Sequence, residues 1–439
     1  MKFLTTPLPK DIEKLLNLGM FKQAKKVVLE RFKKPIPQTL KERLKFELFR
    51  LELLEKTYPY NEKDAFKLFK QLFKNAKKQE FESLLEDGFL DFRFINGEKR
   101  FQERFHYNVA FSLNEYKQRQ KEDKNRTKLR KLTNDAIKRL ISTKKEKTYS
   151  VTARISIKRK KPKNKEVFVW LPVPFEKFQQ SSVKIIDASH KYVLSSPKTL
   201  QKTVHMKGKD TETFWVKFSY NVSEWIGEKS KFLNPPNKSD LAEKPPHVLF
   251  TPYLKEVLKK ALKGVDTTKD YEVAKSIYNY LTRNVYYSYV LPYALYDNIP
   301  EYVTTVFRGD CGFYAITFIT LCRLAGIPAK WQSGWFATPL GASPHDWALI
   351  YLKDLGWIPA DLSFGGSRRN NEEMRMFYFG NLDGFRMFAN LDFQVNFSPK
   401  KKYYRNDPYD NQVGEMESKD GYIIDTESKI EILSFEEID

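Results

Sequence analysis

The feature that most constrains this chain is Phe307-Arg-Gly-Asp-Cys-Gly-Phe-Tyr-Ala-Ile-Thr-Phe-Ile-Thr-Leu-Cys-Arg-Leu-Ala-Gly-Ile-Pro-Ala329. It predicts an apolar helix, with Asp310 as its N-cap and Gly326 and Pro328 just past its end. Cys311 stands in the first turn, where the positive end of the helix dipole favours a thiolate. Cys322 is the other cysteine of the chain. Eleven residues on, it lies roughly 16 Å away by helix rise, too far for a disulfide. It reads as a buried structural thiol, which leaves Cys311 to do chemistry.

A chain of 439 residues allows two to four domains. Its apolar fraction of 41% and charged fraction of 30% are those of a globular protein. The opening Met-Lys-Phe-Leu-Thr-Thr-Pro-Leu-Pro-Lys-Asp lacks the apolar region of a signal peptide. Arg323 interrupts the best apolar run, so no membrane span is predicted. With two cysteines that do not pair, a cytoplasmic location is expected, or secretion if a signal peptide precedes this sequence. The net charge of +22 is uneven: residues 1–150 hold 37 Lys and Arg against 21 Asp and Glu. Such a segment suits an anionic partner. No nucleic-acid motif accompanies the charge, so solvated helix faces explain it better.

Residues 1–146 read as a helical domain. Leu15, Leu16, Phe21, Ala24, Val27 and Val28 have the helical period, as do Leu44, Phe46, Leu48, Leu51 and Leu54. The segment Tyr116–Lys147, with thirteen basic and four acidic residues, predicts one long solvated connecting helix. From Tyr149 the period becomes two. Val151, Ala153 and Ile155 alternate with polar residues, and Val167-Phe-Val-Trp-Leu-Pro172 and Phe214-Trp-Val-Lys-Phe-Ser-Tyr220 follow. Short strands at this spacing predict an antiparallel β-sandwich over 147–233. Proline-rich linkers lead to a third unit at 245–399. Residues 400–439 read as an acidic C-terminal tail that could pack on the basic first third.

A thiolate nucleophile needs a base, and the base needs an orienting group. Of the five histidines, His345 is the one close behind Cys311, in His345-Asp-Trp-Ala-Leu-Ile-Tyr-Leu352. Alternation there predicts a strand with His345 and Trp347 on one face and Asp346 on the other. Gly356-Trp-Ile-Pro-Ala-Asp361 reads as the returning strand of a hairpin. A turn centred on Lys353 or Asp354 places Asp361 on the His345 face; one centred between Asp354 and Leu355 does not. Ala337–Pro344 and Gly365–Asn371 read as loops bordering the site. Taken singly, each of these residues is more simply a core cysteine, a core histidine and a turn aspartate; the ordered set changes the odds.

Gly309-Asp-Cys-Gly-x-Tyr-Ala, Leu-Ala-Gly-Ile-Pro-Ala, His345-Asp-Trp-Ala and Gly356-Trp-Ile-Pro-Ala-Asp together resemble the core of the transglutaminase-like superfamily. The resemblance runs from about His247 to Pro399. It includes Tyr378–Arg386, which is similar to bacterial members, and Val169-Trp-Leu-Pro-Val-Pro resembles a β-domain that precedes some bacterial cores. Asp346 departs from the pattern, where small residues are commoner; on the opposite strand face it is expected to perturb His345 little.

The resemblance implies an α+β, papain-like core preceded by the sandwich and the helical domain. It implies a triad: Cys311 as nucleophile, His345 as general base and acid, Asp361 as orienter. The Cys311 backbone N–H and one further donor would hold the oxyanion, with Tyr287 the candidate; Trp347 is a candidate for substrate contact or for fixing the hairpin. The reaction would be acyl transfer from a peptide or carboxamide through a thioester, with no metal and no cofactor. Hydrolysis, as a peptidase or amidase, is favoured over a crosslinking transglutaminase because nothing marks calcium loops. A peptide:N-glycanase is disfavoured, since its relatives use paired Cys-x-x-Cys zinc ligands that this chain lacks. The reading of another class is a protein-interaction module that kept the fold.

Overall fold

The computed structural model describes residues 2–229 and 232–438. In the first third lie α1 (Lys10–Asn17), α2 (Phe21–Arg31), α3 (Gln38–Thr57), α4 (Glu62–Leu72) and α5 (Lys78–Glu86). The region departs from all-helical at β1 (Phe92–Ile95) and β2 (Glu98–Phe101). Asn96 and Gly97, with φ of 51° and 87°, make the two-residue turn that suits a hairpin. Next come α6 (Phe105–Ser112), α7 (Asn114–Arg119) and α8 (Lys124–Thr143). The expected single connector is thus broken after Arg119. Asp123 restarts the helix by accepting from the Asn125 and Arg126 amides. Nor is α8 solvated all round, for Thr133, Ile137 and Leu140 are buried.

The sandwich is built from β3 (Thr148–Arg159), β4 (Glu166–Pro172), β5 (Gln180–Ala188), β6 (Tyr192–Leu194), β7 (Thr203–Lys209) and β8 (Phe214–Ser223), with β9 (Trp225–Ile226) at its exit. The core unit runs α9 (Pro252–Ala261), α10 (Asp270–Asn284), β10 (Tyr286–Tyr287), α11 (Ile299–Val306), β11 (Arg308–Gly309) and α12 (Cys311–Leu324). It continues with β12 (Ala329–Thr338), β13 (Gly341–Leu352), β14 (Gly356–Ala360), α13 (Leu362–Gly366), α14 (Glu372–Phe377), β15 (Asn381–Leu382) and β16 (Arg386–Asn390). Its antiparallel sheet has the order β14-β13-β12-β16.

The segment expected as an acidic tail is a correction to the sequence reading. It forms β17 (Glu415–Ser418), β18 (Gly421–Ile423) and β19 (Thr426–Ile438), which return to the sandwich. Its two sheets have the orders β18-β17-β4-β7-β6 and β19-β3-β8-β5. The acidic residues answer basic ones across the ladder. Glu431 meets Arg154 at 2.8 Å and Glu427 meets Lys158 at 3.3 Å, both on β3. The tail's charge therefore pairs mainly with the sandwich rather than with the first third. One apolar cluster joins β3, β4, β7 and β8 to Trp335, Ala337, Met387 and Ala389 of the core sheet. Sandwich and core share a buried seam, which sets the face of β12 and β13 that the C-terminal chain can reach. Among the described residues no helix is long and apolar enough to cross a membrane.

Candidate active site

Helix α12 begins where the sequence predicts. Asp310 accepts from the Phe313 amide at 3.0 Å and from the Tyr293 hydroxyl at 2.7 Å. Gly312 follows Cys311 because a Cβ there would come within 2.0 Å of the Tyr293 hydroxyl. Behind Cys311 every residue of α12 from Gly312 to Arg323 is buried, Cys322 included. Burial pushes the Cys322 thiol up, and Cys311 stays partly exposed.

The β13–β14 hairpin has the register that the site requires. Leu352 pairs with Gly356 and Ala348 with Ala360, so the turn centres on Asp354 and Asp361 comes opposite Trp347. His345 Nε2 and Asp361 Oδ2 lie 2.7 Å apart. The same oxygen accepts from Arg386 Nε at 3.1 Å and Nη2 at 2.8 Å. Arg386 Nη1 reaches Asp383 at 2.9 Å, and the Tyr378 hydroxyl donates to Asp383 at 2.7 Å. His345, Asp361, Asp383 and Arg386 are all buried.

The electrostatics follow from that burial. Burial alone would raise Asp361, but His345 and Arg386 more than offset it and hold its carboxyl below the usual range. Burial lowers His345 and outweighs Asp361, so the imidazole is neutral at neutral pH. A neutral imidazole attracts a carboxylate less than a cation does, so Arg386 is the charge that keeps Asp361 ionised. Trp347 lies under the His345 ring at 5.6 Å and Phe364 meets its edge at 4.9 Å. The Trp347 indole donates to Gln332. Trp347 therefore fixes the imidazole and is wholly buried, rather than walling an open groove.

The thiol's partner is not the histidine. Cys311 Sγ donates to Asp346 Oδ2 at 3.2 Å, on the face of β13 opposite His345. Asp346 Oδ1 accepts from Gln412 Nε2, which also donates to the His345 carbonyl at 3.3 Å and to Asp410 at 3.0 Å. Asp410 is held by Ser333 and by the Trp331 indole at 3.4 Å. Burial, then Asp410 and Asp310, raise Asp346 well above the usual carboxylate range. Burial, then Asp346 and Asp310, raise Cys311 well above an ordinary thiol. This reverses the thiolate expected from the helix dipole: buried acids beside the sulfur outweigh one helix N-terminus.

The structure thus brings His345 and Asp361 together and leaves Cys311 on the residue next to His345. Tyr287 lies beside the thiol; burial and then Cys311 raise its phenol. Sequence reasoning missed Tyr293, Asp410 and Gln412 as neighbours of the site. It noted Asp383 and Arg386 only within a resembling stretch. The Asp310 cap was the one signal for Tyr293, since a buried cap calls for a second donor. Gln412 had no local signal, standing 66 residues from Asp346.

One bordering loop was misread, and the other is a loop from Ser367 to Asn371. Ala337–Pro344 belongs to the β12–β13 strands and their tight turn. Gly365 and Gly366 lie inside α13, where a Cβ on Gly365 would sit 1.9 Å from the Tyr278 hydroxyl.

Two distant segments flank the thiol. From the first third, Asn108 exchanges hydrogen bonds with the Tyr289 backbone at 2.9 and 2.8 Å. Phe111 packs on the Tyr287 and Tyr289 rings at 5.4 and 5.8 Å. From the C-terminal side comes Gln412.

Residues 259–362, which contain Cys311, His345 and Asp361, match the family model of the transglutaminase-like superfamily. No curated protein matches the chain. Among solved structures it is similar to a candidate cysteine protease from Cytophaga hutchinsonii, at 14% identity and a TM-score of 0.43, covering 67% of this chain and 92% of that one. It is also similar to the periplasmic domain of TgpA from Pseudomonas aeruginosa, at 12% identity and a TM-score of 0.30, covering 51% of this chain and 91% of that one. A candidate protease from Parabacteroides distasonis matches at 14% identity and a TM-score of 0.21, covering 47% of this chain and 45% of that one.

Proposed function

From the premise that this chain carries a transglutaminase-like core, we propose that it is a cysteine-dependent peptidase or amidase acting through a thioester. The observation that carries the reading is the buried His345–Asp361–Arg386 array standing one residue from the carboxyl that holds Cys311. His345 commits Nε2 to Asp361, which leaves Nδ1 to exchange a proton with sulfur and substrate.

In the arrangement described, the thiol is protonated and rests on Asp346. Asp346 and His345 lie on opposite faces of β13, so catalysis requires a rearrangement that frees Sγ from Asp346 and brings it within reach of the imidazole, to which it then gives up its proton. The thiolate attacks the carbonyl carbon, and the oxyanion is received by the Cys311 amide and the Tyr287 hydroxyl. Protonated His345 returns the proton to the leaving amine as the C–N bond breaks, and Asp361 with Arg386 steadies the transient imidazolium. Water activated by neutral His345 cleaves the thioester and frees the acid and the thiol.

The same Cys311–Asp346 bond favours one competing reading, a non-catalytic interaction module whose thiol stays held. Incubation with a library of blocked peptides and carboxamides, with and without a labelled primary amine, separates these. New carboxyl termini or released ammonia, lost in Cys311→Ala, are expected. Amine incorporation in place of cleavage would make it a transglutaminase, and no turnover of any kind would leave the module.

A further inference from the structure

Strand β10 runs beside the thiol, Tyr287 being the Cα partner of Gly309, two residues before Cys311. Four arginines surround this strand. Arg308 is the Cα partner of Tyr286 and donates to the Ser112 hydroxyl. Arg369 lies 3.8 Å over the Tyr286 ring and donates to the Val285 carbonyl at 2.7 Å. Arg104 lies 4.4 Å over Tyr289, and Arg126 lies 5.9 Å over Phe111, which packs against Tyr287. Two of the four come from the first third and two from the core, so the fold assembles the group.

Among the described residues none of these four forms an ion pair with a carboxylate. Arg119, Arg139 and Arg283 do, with Glu80, Glu224 and Glu372. A guanidinium laid on an aromatic ring loses rotamer freedom in advance. Among the described residues the Arg104 and Arg126 side chains make no hydrogen bond and keep their N–H edges for an oxyanion. Arg369 also donates to the Gly366 and Arg283 carbonyls and keeps only its remaining Nη hydrogens. A free guanidinium edge can grip a carboxylate with two parallel hydrogen bonds.

We propose that this arginine group selects acidic peptide segments, presenting Asp or Glu side chains to Arg104, Arg126, Arg308 and Arg369, as the substrates of the Cys311 site. The proposal rests on the peptidase reading. Nucleic acid fits less well: the Tyr286 and Tyr289 faces on which bases would stack are already covered by Arg369 and Arg104.

Fluorescence anisotropy on the full chain carrying Cys311→Ala tests it without turnover, so failure of the peptidase reading is scored separately by cleavage. The probes are a labelled Glu/Gly peptide, a Gln/Gly peptide of equal length and a single-stranded oligonucleotide. The Glu/Gly peptide is expected to bind roughly tenfold tighter than the Gln/Gly peptide, and less so as salt rises. Adding Arg104→Glu and Arg126→Glu, both exposed positions, is expected to abolish that preference with an unchanged melting temperature. Equal binding of the two peptides overturns the proposal. So does tighter binding of the oligonucleotide, or a preference that survives the charge reversals.

Discussion

The two faces of β13 are chemically unlike. On one, His345 belongs to an array in which each carboxylate has a cation or phenol partner: Asp361 with Arg386, Asp383 with Arg386 and Tyr378. On the other, Cys311 sits among Asp310, Asp346 and Asp410, whose carboxyls have amide, hydroxyl and indole donors and, among the described residues, no ion pair with a cation. Paired charges can stay ionised in a dry interior; crowded acids must take up protons instead. One face of the strand thus holds a fixed, neutral imidazole, and the other a thiol among acids that favour its protonated form.

The largest contrast is in turnover. His345→Ala is expected to lower the rate of peptide or amide cleavage by roughly 10⁴-fold, and Asp346→Asn to leave it intact or raise it. A larger loss from Asp346→Asn would reverse the roles assigned to the faces. In stability the paired face carries more. Arg386→Leu strands Asp361 and Asp383 without their cation, and is expected to cost about 3–5 kcal/mol in urea unfolding. Gln412→Leu on the acid face removes one hydrogen-bond donor and should cost about 1–3 kcal/mol; equal losses would show that the two faces are built alike.

A smaller effect concerns the thiol itself. After burial, Asp346 is the largest cause that raises Cys311, and an amide oxygen accepts the thiol's hydrogen more weakly than a carboxyl, so Asp346→Asn should speed alkylation of Cys311 at neutral pH by roughly tenfold. A rate no faster than that of the parent chain would dissociate Asp346 from the thiol.

The smallest effect is in pH dependence, where the faces have opposite signs. Asp310 is raised to about 6, by burial first, so its folded form binds more protons than its unfolded form. Its contribution to stability is greatest below the unfolded value near 4 and declines as pH rises from about 4 to about 6. Asp361 is lowered, so its contribution is present above the usual carboxylate range and is lost as pH falls. Asp310→Asn, which keeps a cap acceptor, should remove the decline between about pH 4 and 6 from the unfolding free energy. A profile unchanged in that window would assign the titration elsewhere.

These contrasts also explain what could be read from the sequence. The hairpin that joins His345 to Asp361 is local. Alternation and a short turn announced the hairpin and left its register between a turn on Lys353 or Asp354 and one a half-step later, which the structure resolves at Asp354. Asp310, Gly326 and Pro328 bounded the helix that opens at Cys311. The thiol's surroundings are not local. Gln412 and Asp410 reach it only because β17 to β19 close the sandwich, and nothing in a polar, acidic C-terminal stretch announces strands that pair with a basic β3. The Asn96-Gly97 turn was legible and was passed over inside a helical pattern. The helix dipole sets the thiol less than burial, Asp346 and Asp310 do together.

The most direct measurement pairs alkylation with activity. The native chain is treated with limiting iodoacetamide at neutral pH, the modified cysteine is mapped, and residual cleavage is measured on the same samples. Modification of Cys311, with Cys322 spared and activity lost in proportion to the label, is the predicted result. Full labelling of Cys311 with cleavage undiminished would contradict its place as the nucleophile.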